Sequence, residues 1–273
     1  MMANAKKHFL VLIFILNSSL FFSQVTICSW NLMNFGKSKS NSELEFIANT
    51  INKYDVIAIQ EVVAGNGGAQ AVARLAAILQ NKGFHWDYNI SDPTTSDNHS
   101  SIERYAFIWK TSKVKKIGRS WLDLNYKVEI DREPYFSTFE YQGKQFTIAT
   151  FHAVPKKKNP ASEIKYFKTY PSLYPKLNLI FMGDFNCPQS HTVFAPLKKM
   201  GYSSSLVNQK TSLRQKCIQN DCLASEYDNM FFNPQKMKIT QSGVIPFYES
   251  FNTLKEARKI SDHAPIWGSF ILK

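Results

Sequence analysis

An acid and an amide stand two residues apart after a short apolar run in LIFMGDFN, where Leu179, Ile180, Phe181 and Met182 precede Gly183, Asp184 and Asn186. Four consecutive apolar residues suit a strand buried on both faces, with Gly183 as its stop. Asp184 and Asn186 then emerge together at the strand's carboxyl end, the usual lip for a site in a layered α/β fold. Alone they read equally as turn formers. The pattern recurs, however. Asn31 follows the stretch 25–30, Glu61 follows 55–59 and His152 follows 146–151. Glu103 stands before 105–109, Asp228 before 230–232, and Asp262 and His263 before the last strand, 264–272. A group at the start of a strand reaches the same lip if that strand runs antiparallel to the others.

Two histidines among carboxylates and amides, with no serine or cysteine in an activated setting, argue against acyl transfer through a covalent nucleophile. Oxygen-rich side chains suit Mg²⁺ or Ca²⁺ better than zinc. Phosphodiester hydrolysis needs what such a set supplies: a base for water, an acid for the leaving oxygen, and cations or amides for the phosphoryl oxygens. Lys156, Lys157 and Lys158 follow His152 closely and place positive charge where a phosphate backbone would lie. The other basic run, Lys113 to Arg119, reads as a solvated face.

Composition narrows the partners. The 273 residues are 44% hydrophobic, enough for a single domain with a large core. Lys6 and Lys7 precede the apolar stretch 9–16, which is too short to span a bilayer and reads as a secretory signal covering residues 1–23, with a mature domain over 24–273. Its removal takes two of 33 basic residues and none of the 21 acidic ones, leaving 31 against 21, or +10. An exported basic chain favours a polyanionic partner. In an oxidising compartment Cys217 and Cys222 suit a small disulfide loop, whereas Cys28 and Cys187 read as free buried thiols.

The elements that must carry these groups follow from periodicity. Asn41 or Ser42 caps a helix with Leu44, Ile47 and Ile51 inward; a Gly-rich loop at 65–68 leads to a helix over 71–80; residues 91–101 form a loop. Strands 135–139 and 146–151 form a hairpin about Gln142 and Gly143. Helices are expected over 161–170, 192–200 and 249–258, and a strand around 237–240 as hairpin partner of 230–232. The order suits two packed sheets with helices outside.

The phrases WNLMNFG (30–36), IQEV (59–62), ERYAF (103–107), REP (132–134), HAVP (152–155), MGDFN (182–186), YDN (227–229) and SDHAP (261–265) together resemble the endonuclease/exonuclease/phosphatase superfamily, and within it the deoxyribonuclease I branch. ERY, REP and HAVP, with Glu163 downstream, carry the resemblance to that branch. It implies an α/β fold, a four-layered α/β/β/α sandwich of two mixed sheets, and metal-dependent endonucleolytic hydrolysis of DNA with little sequence specificity. It implies His263 as base with Asp228 behind it, and His152 as acid with Glu103 behind it. Asn31, Glu61 and Asp262 would hold Mg²⁺, or Mn²⁺ in its place, with Ca²⁺ as a further ion; Asp184 and Asn186 would hold the phosphate or a second ion. Arg132 would contact a DNA phosphate, joined by Lys156, Lys157 and Lys158. Asn229 and Val63 depart from the branch, which often has basic residues there. The expected partner is DNA, engaged by a monomer without a stable protein partner or membrane attachment. The competing readings are a sphingomyelinase-like phospholipid phosphodiesterase, which would need Phe231, Phe232, Phe247 and Tyr248 exposed, and a binding protein without catalysis.

Overall fold

The computed structural model describes residues 24–96 and 98–273; the expected signal over 1–23 lies outside the described residues. Strands form where β-branched and aromatic side chains alternate between two buried faces. In β1 (Val25–Phe35), Val25 and Ile27 point to one side, Cys28 and Trp30 to the other. In β2 (Val56–Val63), Val56 and Ala58 part from Ile57 and Ile59 in the same way. β1 and β2 run parallel in the middle of a six-stranded sheet ordered β13 (Met237–Val244), β14 (Ile266–Leu272), β1, β2, β4 (Glu103–Lys110), β3 (Trp86–Ile90), whose other pairings are antiparallel. The second sheet is ordered β5 (Lys115–Leu122), β6 (Tyr135–Tyr141), β7 (Lys144–His152), β8 (Leu179–Asp184), β12 (Asp228–Phe232), β9 (Ser203–Ser204), with only β7 and β8 parallel. A small hairpin, β10 (Leu213–Ile218) and β11 (Asp221–Leu223), stands apart from both and is closed by a Cys217–Cys222 disulfide.

Three apolar clusters separate four layers. One joins Val25, Val56, Phe107, Ile148, Met182 and Phe270 between the sheets. Another seats α1 (Asn41–Ile51), α2 (Asn66–Gln80) and α6 (Leu254–Ile260) on the first sheet through Leu44, Ile47, Leu75, Leu79 and Ile260. The third seats the short helices α3 (Ala161–Ile164), α4 (Tyr170–Leu173) and α5 (Ala195–Lys199) on the second sheet through Ile164, Tyr170, Phe181 and Leu197. The result is the α/β/β/α sandwich, with Cys28 and Cys187 free and buried.

Several local expectations change. Ser40, not Asn41 or Ser42, caps α1, because its side chain and that of Glu43 bond each other's backbone amides reciprocally. The glycines after Glu61 open α2 instead of forming a loop: Gly65 is the N-cap, and a Cβ on Gly68 would meet the Val63 carbonyl at 1.9 Å. Gly183 lies inside β8. The helix expected over 161–170 breaks after Ile164, where a run rich in aromatics tucks Phe167 against Phe151, Phe181 and Phe185. The strand near 237–240 reaches Val244 and pairs with β14 in the other sheet, so it is no hairpin partner of β12. Helix α6 starts at Leu254 with Thr253 as its cap.

Candidate active site

Parallel β1, β2, β7 and β8 end, and antiparallel β4, β12 and β14 begin, at one edge of the sandwich. Asp184 closes β8, and the ladder places it directly between His152 of β7 and Asp228 of β12. Gly183 permits this approach, since its φ is +133° and a Cβ would lie 2.1 Å from the Phe151 carbonyl. Glu61 sits where the β2–β4 register shifts, with a φ of +60° that a non-glycine residue rarely adopts. That turn sends its carboxylate toward β1, where Oε2 accepts from the Asn34 amide at 2.9 Å and Oε1 from Asn31 Nδ2 at 3.1 Å.

Each histidine is held between two carboxylates. His263 Nδ1 lies 2.7 Å from Asp228 Oδ2, and His152 Nδ1 lies 2.9 Å from Glu103 Oε2. Both Nε2 atoms lie 3.5 Å from the same oxygen, Asp184 Oδ2. A carboxylate on Nδ1 holds the proton there and leaves Nε2 for chemistry. Burial disfavours the charged imidazole of His263, but Asp228 and Asp184 outweigh it and carry its pKa well above the usual 6.5. His152 is raised as well: Glu103 overcomes both burial and the repulsion of Arg132. Burial would lift the Asp184 carboxyl, yet His263, His152, the Asn186 amide and Asn31 together hold it below its ordinary value.

The remaining site residues divide. Asn186, at φ +48°, donates its backbone amide to Asp184 Oδ1 at 2.8 Å and its side chain to the Ala153 carbonyl at 3.0 Å. Arg132 is buried; Nη1 reaches Glu103 Oε2 at 3.2 Å, Nη2 bonds the Ala153 carbonyl, and Nε is without a partner among the described residues. Lys157 and Lys158, together with Asn34, Glu61, Glu103 and Arg132, line a cleft of about 560 Å³; Lys156 is not part of its lining. Asp262 pairs with Arg258 at 3.3 Å and is partly exposed.

The donor set fits a hard cation. Asn31 Nδ2 lies 3.1 Å from both Glu61 Oε1 and Asp184 Oδ2, while its Oδ1 is buried without a hydrogen-bond partner among the described residues. Asp184, Asp228 and His263 also offer ligand atoms within 4.8 Å of one another.

Other groups support the site: Thr211 lacked a sequence signal, whereas Tyr105 and Gln60 stand within ERYAF and IQEV. Tyr105 Oη accepts the His152 amide at 3.2 Å, Thr211 bonds Asp228, and Gln60 Nε2 crosses between sheets to Thr150 at 2.7 Å. Ser261 was legible as part of SDHAP: its hydroxyl donates to the Asn31 carbonyl and accepts the His263 amide at 3.0 Å. Both Glu163 oxygens accept backbone amides, from Asp131 at 2.7 Å and Val154 at 2.8 Å. Asn229 is buried, bonding both backbone groups of Leu206. Val63 is 39% exposed. Phe231, Phe232 and Phe247 are buried and Tyr248 is half-buried, contrary to what insertion into a membrane requires.

Residues 28–263 match the Endonuclease/Exonuclease/phosphatase family. A deoxyribonuclease of Thioalkalivibrio sp. (strain K90mix) is 24% identical over 282 residues, covering 96% of this chain and 75% of that protein. Deoxyribonuclease-1 of Bos taurus is 26% identical over 265 residues, covering 88% and 90%. Among solved structures, an endonuclease/exonuclease/phosphatase family protein from Bacteroides thetaiotaomicron superposes with a TM-score of 0.66 at 16% identity, covering 92% of this chain and 98% of that one, a likeness of fold.

Proposed function

Because the chain belongs to the endonuclease/exonuclease/phosphatase family, we propose that it is a secreted, metal-dependent endonuclease that hydrolyses DNA phosphodiester bonds with little sequence specificity. The observation that carries this reading is the pair of carboxylate-backed imidazoles whose Nε2 atoms converge on one Asp184 oxygen at 3.5 Å each. One in-line displacement at phosphorus needs a proton removed on one side and delivered on the other, and two imidazoles facing a common point supply both. The deoxyribonuclease relatives support DNA over other phosphodiesters.

In the proposed mechanism His263 Nε2 takes the proton of the attacking water while Asp228 steadies the imidazolium that forms. His152 Nε2 protonates the leaving 3′ oxygen, with Glu103 holding its Nδ1 and Arg132 holding Glu103. Asn31, Glu61 and Asp184 would hold the cation, while Asp262, expected among its ligands, is engaged by Arg258 at 3.3 Å. When bound, a hard divalent cation would supply positive charge to the phosphoryl oxygens. Lys157, Lys158 and Arg132 receive the phosphates beyond the scissile one. Contacts of this kind read no bases, so low sequence specificity follows. Export agrees with the basic, apolar amino end and the disulfide. Among the described residues no helix is long and apolar enough to cross a membrane. We take the active form as a monomer of residues 24–273.

Digestion of supercoiled plasmid by the purified chain tests the reading. Nicked circles should accumulate with Mg²⁺, stop when a chelator is added and resume when Mg²⁺ is restored in excess. Intact plasmid beside hydrolysed sphingomyelin vesicles would replace it with the phospholipid reading.

A further inference from the structure

The segment 211–213, which leads into the disulfide-closed hairpin, runs beside the stretch that carries His263. Leu213 N donates to the Asp262 carbonyl and Ala264 N to the Thr211 carbonyl, each at 2.7 Å, and Ser212 bridges His263. The far side of the same loop returns at Ser225, whose carbonyl accepts the Thr211 amide at 2.7 Å, and continues straight into Tyr227 and Asp228. Thr211 is thus tied by its backbone to the strand of one catalytic residue and by sequence return to the other. Its side chain is fully buried.

The hydroxyl completes the connection. Thr211 Oγ1 lies 2.6 Å from Asp228 Oδ2, the oxygen that also takes His263 Nδ1, and it accepts the Asp228 amide at 3.0 Å and the Tyr227 amide at 3.2 Å. With two amides donating to it, the hydroxyl has one proton to give; the Ser225 carbonyl lies at 3.4 Å and Asp228 Oδ2 at 2.6 Å, so the shorter contact to the carboxylate takes it. The torsion that orients an aspartate carboxylate is broad and nearly two-fold, so one imidazole contact leaves the group free to rotate. A second donor on the same oxygen fixes the carboxylate plane and, through it, the ring of His263.

We propose that Thr211 is a positioning residue: its hydroxyl sets the Asp228 carboxylate so that His263 presents Nε2 to the attacking water. The proposal rests on the nuclease reading for its kinetic consequence, but its geometric consequence can be read without activity.

The test compares wild type with Thr211→Val, which removes the hydroxyl at nearly constant volume, and Thr211→Ser, which keeps it. Circular dichroism checks folding, and Thr211→Ala takes the place of the valine variant if that fails to fold. On plasmid, kcat should fall about 10- to 100-fold in the valine variant with KM little changed, and the serine variant should recover most of the rate. In the metal-free protein, the downfield His263 Nδ1 proton resonance, assigned by its loss in His263→Ala, should be sharp in wild type and Thr211→Ser and shifted or broadened in Thr211→Val. A folded valine variant with wild-type kcat and an unmoved resonance overturns the proposal, as does a serine variant as slow as the valine. A wild type inactive on plasmid overturns the nuclease reading instead, and the resonance then decides on Thr211 by itself.

Discussion

At the scale of single residues, the site is an electrostatic balance. Four buried carboxylates, Glu103, Asp184, Asp228 and Glu163, are tolerable because each meets an imidazole, a guanidinium or backbone amides. The chain names most of these residues at sequence level, because a charged side chain ending an apolar strand has no packing reason to be there. It does not name Thr211, whose contact with Asp228 spans 17 residues and follows from how strands pair. The raised imidazoles have a stability consequence. A base whose pKa is higher in the folded state contributes stability that is complete below 6.5 and is lost as pH rises through the folded value. Without metal the protein should therefore be less stable at about pH 9 than at about pH 6. In Asp228→Asn the loss should be smaller and begin at lower pH, because the largest force raising His263 is gone. Urea midpoints at both pH values check this, and equal declines in the two proteins would contradict it.

At the scale of elements, long buried strands were legible and edges were not. β8 and β1 announce themselves by apolar runs; β3 and β5 carry polar residues because only part of each is covered, and they escape pattern reading. Adjacency along the chain suggests a hairpin of β13 with β12, whereas β13 pairs with β14 and completes the first sheet. Gly183 shows what position demands of an element. Gly183→Ala should destabilise the fold by about 1–3 kcal/mol, since the added carbon meets the Phe151 carbonyl of β7 and the backbone must shift. The same shift moves Asp184 from its place between His152 and Asp228. A denaturation midpoint unchanged from wild type would show that the two strands can part without cost.

At the scale of the whole molecule, two sheets bring together groups that begin at Asn31 and end at His263, 233 residues apart in the case of the Trp30 to His263 bond. The layer order was legible from the sequence of apolar runs, while the cleft was not, because its walls come from separate loops. Lys157 and Lys158 line that cleft and Lys156 does not, so the three lysines are not equivalent. Replacing Lys157 and Lys158 with alanine should weaken DNA binding across sequences and flatten the dependence of log affinity on log salt by up to about 2, whereas Lys156→Ala should change little. Binding curves at several salt concentrations distinguish these outcomes; three equal effects would mean general surface charge.

The most direct test of the account is the plasmid nicking rate of His152→Ala and His263→Ala, each with folding verified by circular dichroism. If the two imidazoles act on one phosphate from opposite sides of Asp184, each substitution lowers the rate by at least about 100-fold. A folded variant of either kind that retains most of the wild-type rate would contradict it.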